Sequence, residues 1–434
     1  MRDLLILLPI IGLALAALRK PWLGVIGWTW ISIMNPHRLS WNLDNLPLAA
    51  LMAGCTLVGL LLTRDRRQPF ISGSVITLLV FMIWMCITYP FSIFPDRSLE
   101  MLDRVMKIDV MILVALMLII SRKHIQWLTW TVVVSIGYFG IKGGLFTILT
   151  GGSFRVWGPS GTFIEGNNEI ALAIIITIPL MRYLQMQLPP DRKWFRRGFT
   201  VAMLLMAAAA LGSHSRGALL AIAAMAFFLW LRSPNKLGGG IAMVVAGALL
   251  VIFMPDEWTD RMNTISTYQQ DMSAQGRINA WWMAWNLAKD RFFGGGYQIY
   301  TLIVFQQYAP NPTDVHAAHS IYFQVLGEHG FVGLFIFLLM WGLTWRDGAW
   351  LRRHAAAVPE ARWAADMGAM CQVALVGYLV GGAFLSLSYF DLPYNLLVLT
   401  AASRNWVTRR AWEQEARDAA VDSKHSKASL KVTT

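Results

Sequence analysis

Apolar runs long enough to be membrane helices, separated by short polar breaks, fill almost the whole chain. They cover residues 4–18, 21–34, 48–63, 72–89, 105–121, 125–149, 169–185, 199–211, 217–231, 237–254, 331–345 and 367–389, which predicts about twelve transmembrane helices. A thirteenth run, 392–407, either spans or lies against the bundle. The one long stretch too polar for lipid is 255–330. The expected organisation is an N-terminal transmembrane bundle over 1–254, a large loop over 255–330, transmembrane helices over 331–407, and a polar tail over 408–434 predicted to be disordered. The fold class is therefore an all-α polytopic membrane protein.

Within the large loop, residues 275–293 have helical periodicity and lead into Gly294, Gly295 and Gly296. Ile278, Trp281, Trp282, Trp285 and Phe292 recur on one face, with Asn279, Asn286, Lys289 and Asp290 on much of the remainder. Such an amphipathic helix suits the headgroup layer, or else packs on the bundle as an ordinary helix. Both arrangements put Arg277 at the helix start, near the membrane surface.

Charge sets the orientation. Arg19 and Lys20, Arg64, Arg66 and Arg67, Arg122 and Lys123, the group from Arg182 to Arg197, Arg232 and Lys236, the group from Arg346 to Arg362 and the tail fall on one side if the thirteenth run spans. That side holds most of the 37 Lys and Arg, so the positive-inside rule makes it cytoplasmic and the large loop periplasmic. Strict alternation puts the N-terminus outside as well. The first run ends in Ala14, Leu15 and Ala16, a spacing that could serve a signal peptidase. Only Arg2 precedes it, offset by Asp3, and a second span follows at once, so a retained helix is expected.

Composition narrows the chemistry. The chain is 56% hydrophobic and 14% charged, well below the charge of a soluble protein of 434 residues. The net charge of +12 comes from short clusters that flank apolar runs, not from a groove-tracking stripe, so nucleic acid is not an expected partner. Cys55, Cys86 and Cys371 lie in apolar runs without CxxC spacing and read as buried core residues. No phosphate-binding glycine loop is present, so nucleotide-driven work is not expected.

The remaining cations stand on the outer side, with Lys107, Lys142, Arg155, Arg216 and Arg277 at or inside span ends. Such a cation needs a partner or a water-filled cavity. Arg97, Arg104 and Lys107 are expected to snorkel to lipid phosphate. Arg216 and Arg277, next to glycines or helix starts, are expected to converge on an anionic ligand, since a guanidinium grips phosphate in two places. The turn from Gly212 to Gly217 also offers helix N-terminal amides to an anion. His316 and His319, three apart, would share a helix face, but no third ligand is spaced for a metal, and His319 before the next span is a ready general base. His214 and His329 are expected to be structural.

Ser215-Arg216-Gly217, Gly276-Arg277 with the tryptophan-rich helix ending at Gly294-Gly295-Gly296-Tyr297, and His319 followed by Glu328-His329-Gly330-Phe331-Val332-Gly333 together resemble the O-antigen ligase/polymerase superfamily. Met34-Asn35-Pro36-His37-Arg38-Leu39 is similar to its exosortase-associated O-glycosylation ligase subgroup. The resemblance implies a C-type membrane glycosyltransferase, metal-independent, cofactor-free and inverting, in the bacterial inner membrane with its site facing the periplasm. Its partners would be an undecaprenyl-pyrophosphate-linked glycan donor, a lipid A-core acceptor and membrane lipids. His319 would activate the acceptor hydroxyl, and Arg216 and Arg277 would bind the pyrophosphate, aided by Arg155 and Lys142, with His316, Arg291 and Asp391 as secondary candidates. Ser320 stands where many members have asparagine. A protein acceptor, a growing glycan as in a polymerase, or a lipid-linked glycan transporter remain alternatives. A transporter would carry ionisable groups deep in several spans, whereas here they gather at one face.

Overall fold

The computed structural model describes residues 2–43, 46–63, 70–233, 235–263 and 272–417. The Arg64–Arg67 cluster, part of the large loop (264–271) and most of the tail (418–434) lie outside the described residues. Among those described, every regular element is helical.

The first half contains α1 (Arg2–Arg19), α2 (Pro21–Met34), α3 (Leu48–Leu62), α4 (Gly73–Thr88), α5 (Pro95–Leu118), α6 (Arg122–Leu149), α7 (Asn167–Met186) and α8 (Lys193–Gly212). Then come α9 (Arg216–Arg232), α10 (Lys236–Phe253), α11 (Asp256–Asn263), α12 (Met272–Asp290), α13 (Leu302–Tyr308), α14 (Ile321–His354), α15 (Arg362–Gly382) and α16 (Asp391–Thr408). Local chemistry marks several starts. The Ser72, Ser121 and Ser215 hydroxyls accept from the amides of Val75, His124 and Ala218, capping α4, α6 and α9.

Among the described residues, six helical stretches are long and apolar enough to cross a membrane: Gly73–Phe91, Arg122–Leu149, Asn167–Met186, Lys193–Gly212, Ile321–His354 and Pro359–Phe384. Pro21–Met34, Leu48–Leu62 and Lys236–Val245 are apolar but shorter. The chain is thus a multi-pass membrane protein with fewer clear spans than the dozen expected. α5 carries charges through its first three turns, and α16 begins with buried Asp391 and contains Arg404, so neither reads as a clean apolar span. Cys371 is buried, but Cys55 is only half-buried and Cys86 is exposed, on the apolar outer stripe of α4 with Leu79 and Ile83.

α14 and α15 form the centre, packing on α4, α7, α9 and α16. α14 begins inside the stretch expected to be loop and breaks at Gly330 (φ 71, ψ −174). Gly327 and Glu328, at the break, offer their carbonyls to the amides of Gly295 (2.9 Å) and Gly296 (3.0 Å). The break therefore lets the glycine triplet cross α14 with its buried amides satisfied. A side chain at Gly330 would start 2.3 Å from the Phe292 carbonyl oxygen, in backbone geometry that only glycine adopts readily. Gly330→Ala is expected to destabilise by at least roughly 2–3 kcal/mol, read as a lowered thermal midpoint of the purified protein; an unchanged midpoint would remove the break from the determinants of stability.

α12 turns its indoles outward, the arrangement expected of a helix in the headgroup layer and not of one packed on the bundle through them. Ala280, Met283 and Leu287 are buried with Ile299, Val304 and Phe305, and Ala284 is buried beside them, while Trp282 and Trp285 face outward. The reason is steric: α12 lies close against α14, with Ala284 over Gly327, and an indole would not fit there.

Candidate active site

His319 occupies the last turn of chain before α14, with φ of 42, a left-handed conformation that costs a histidine energy and must be held by its surroundings. They hold it from both sides. The Trp281 indole donates to the Ala318 carbonyl at 2.7 Å and stacks on Phe323, with ring centroids 5.1 Å apart. Asn279, buried on α12, donates to the carbonyls of Asn311 (2.8 Å) and Asp314 (3.0 Å) and accepts from the Asn311 amide (2.9 Å). On the other side, Ser388 Oγ reaches Ile321 O (3.0 Å) and Gln324 Oε1 (2.9 Å), while Tyr322 donates to Leu379 O (2.7 Å) and Tyr389 to Glu328 Oε2 (2.6 Å). Buried hydrogen bonds thus fix the first turns of α14, and with them the histidine.

His316 and His319 do not share a helix face, because the chain from 315 to 319 is not helical and α14 starts only at Ile321. They are still neighbours. His316 stands beside Asp314 (Nδ1 to Oδ1, 3.0 Å) and its ring lies against Gly276, where a Cβ would fall 2.5 Å from Nδ1. Gly276 therefore lets the second turn of α12, with Arg277, approach the histidine loop closely.

Burial first, then the Arg277 and His316 charges, push the His319 imidazole down to about 4. Its Nδ1 is buried without a hydrogen-bond partner. The ring is therefore neutral at physiological pH, with a nitrogen lone pair free to take a proton. If it acts as a base, kcat/KM is expected to stay level as pH falls past 6.5 and to drop only near about 4. An acid limb at the ordinary histidine value would show another group to be the base.

Arg277 also acts on Glu169, in the first turn of α7. Two residues earlier, Asn167 donates to Ser213 O at 2.7 Å, in the turn that leads to Arg216. The start of α7 thus joins the Arg216 turn to the Arg277–His319 pair. Arg216 is the first residue of α9, whose cap is Ser215, and His214 (φ 56) bonds Gly152 O at 2.7 Å through Nε2. Val156 N donates to Gly212 O (3.1 Å), which brings exposed Arg155 to the same turn, and Lys142 is exposed one residue before Gly143, against Val156.

The other candidates separate. Arg291 lies about 21 Å along α12 from Arg277, with its guanidinium donating to the carbonyls of Phe91 (2.6 Å) and Gly294 (3.2 Å). That is a structural use. His329 is a core residue bonded to Thr88 (Nδ1 to Oγ1, 2.8 Å). Asp391 is buried at the start of α16, three residues beyond Ser388, and within electrostatic reach of Arg104. Arg104, expected to snorkel, instead lies over the Phe163 ring at 4.1 Å and shares that carboxylate. Nothing in the local sequence of α5 marked it, since its partners come from two distant segments. Lys107 pairs with Asp103 on the exposed side of the same helix. Among the described residues, no group of three or more His, Cys, Asp or Glu is placed to hold a metal ion.

Residues 201–338, which contain Arg216, Arg277 and His319, match the O-antigen ligase family. That match supports the O-antigen ligase superfamily for this part of the chain. Residues 1–188 match a family of unknown function (DUF5935). No protein of curated function gives a match to the chain. The O-antigen ligase match supports a ligase/polymerase-type glycosyltransferase acting on lipid-linked glycans in the membrane. It ends inside α14, so Asp391 lies beyond it, and Lys142 and Arg155 fall in the segment of unknown function.

Proposed function

We propose that the protein moves an O-antigen polysaccharide from undecaprenyl pyrophosphate to the core oligosaccharide of lipid A, at the periplasmic face of the inner membrane. His319 takes the proton of an acceptor hydroxyl, whose oxygen attacks the anomeric carbon from the face opposite the leaving group. The bond to pyrophosphate breaks, the configuration inverts, and undecaprenyl pyrophosphate departs carrying the charge. Arg277 and Arg216, assisted by Arg155 and Lys142, hold that charge.

The observation that carries this reading is the juxtaposition of a neutral, half-buried imidazole with a guanidinium. An imidazolium beside Arg277 is repelled, with Glu169 as the carboxylate that also faces that arginine. A diphosphate between the cations offsets the repulsion, so proton uptake by His319 becomes favourable as negative charge develops on the leaving group. The energy of transfer resides in the donor bond, so no nucleotide is required.

Reconstitution with purified undecaprenyl-pyrophosphate glycan and lipid A-core tests this, with glycosylated lipid A-core as the expected product in excess EDTA. Longer lipid-linked glycan without acceptor modification would identify a polymerase. Loss of transfer in EDTA that divalent ions restore would overturn the metal-free mechanism.

A further inference from the structure

The outward face of α12 is not a smooth lipid-facing surface. Ile278, Trp281, Trp282, Trp285 and Phe323 line an apolar groove of about 390 Å³. Its upper wall is the Trp281–Phe323 stack, whose members touch or follow the residues around His319: Trp281 bonds Ala318 O, and Phe323 is one turn after the histidine. Its head is one residue from Arg277, and Trp285 lies about 12 Å further along the helix. From there the apolar surface continues. The Trp285 ring meets Phe331 edge-on at 5.1 Å, and Phe331 (40% exposed) and Phe335 (65%) carry it past the break at Gly330 onto the membrane-crossing part of α14. Trp282 and Trp285 remain 51% and 40% exposed, although burying an indole is strongly favourable.

We propose that this groove seats the head-proximal isoprene units of a polyprenyl diphosphate, between the cation–histidine pair and the bilayer. The occupant follows from continuity: an apolar track that starts beside Arg277 and ends on a span fits a ligand with a diphosphate head and a long, branched hydrocarbon chain. Flat indole and phenyl faces suit the methyl-branched, unsaturated units of such a chain. The headgroup assignment rests on the donor reading given above; the groove itself is tested separately.

The test uses the full chain in nanodiscs and two probes, undecaprenyl pyrophosphate and inorganic pyrophosphate. Trp282→Ala/Trp285→Ala is expected to weaken binding of the lipid about tenfold or more and to leave inorganic pyrophosphate unchanged. Equal lipid affinity in the variant and the parent would overturn the groove. So would competition by phosphatidylglycerol as effective as that by undecaprenyl phosphate, since the site would then hold ordinary bilayer lipid. Lipid binding unaffected by Arg277→Ala would instead sink the headgroup assignment while leaving the tryptophan result intact. Should the double variant not fold, a diazirine-bearing undecaprenyl phosphate on the unaltered protein is expected to label peptides spanning 278–285 and 323–335; labelling confined to other helices would overturn the proposal.

Discussion

Replacing His319 with alanine is expected to slow glycan transfer by roughly 10²–10⁴-fold, the usual contribution of a positioned general base. The physical case rests on position as much as on basicity. The left-handed backbone at residue 319 is held by Trp281 through the neighbouring carbonyl and by the hydrogen bonds that pin the first turns of α14. None of these restraints uses the imidazole itself, so truncating it leaves the loop anchored. Folding and donor affinity should therefore persist in His319→Ala, measured by thermal unfolding and lipid binding beside the transfer rate. A variant that keeps its full rate would remove the histidine from the mechanism. One that fails to fold would show that the ring is needed for structure.

Arg277→Ala is expected to lower the turnover number by roughly 10²–10³-fold, as when a preorganised group that stabilises a leaving charge is lost. Arg277→Lys should recover only part of this, because an ammonium cannot grip a diphosphate with two parallel bonds. The same substitution has a second signature. Arg277 is one of the charges that hold His319 down near 4, so its removal lets the imidazole titrate higher and moves the acid limb of the rate profile to higher pH. A change in rate without a change in the profile would separate the arginine from the histidine. A change confined to KM would make it a ground-state anchor, not a stabiliser of the departing pyrophosphate.

Much of this protein was legible from residue order. Apolar runs dictated helices because lipid supplies no hydrogen-bond partner to an open backbone, and the residues carrying the family resemblance lay close enough in the chain to be recognised together. His319 before a span followed from local pattern alone, whereas Arg277, expected at a helix start, lies in the second turn of α12, which begins at Met272. The count of clear spans did not follow from it, because α2 and α3 are short and α5 carries charges through its first three turns.

The direction of the α12 indoles was also invisible in the chain. Periodicity says which side chains share a face, but the neighbouring helix decides which face is buried, and close approach to Gly327 selects alanine over tryptophan. Pairing among charges was the other decision left to tertiary structure. Glu169 lies within electrostatic reach of Arg277, Asp391 within that of Arg104, and Arg291 is taken up by the Phe91 carbonyl, each across a long separation in sequence. Composition determined that cations would gather at a membrane surface; only the folded bundle decided which of them stand beside the histidine, because charge interactions depend on distance in space and not along the chain.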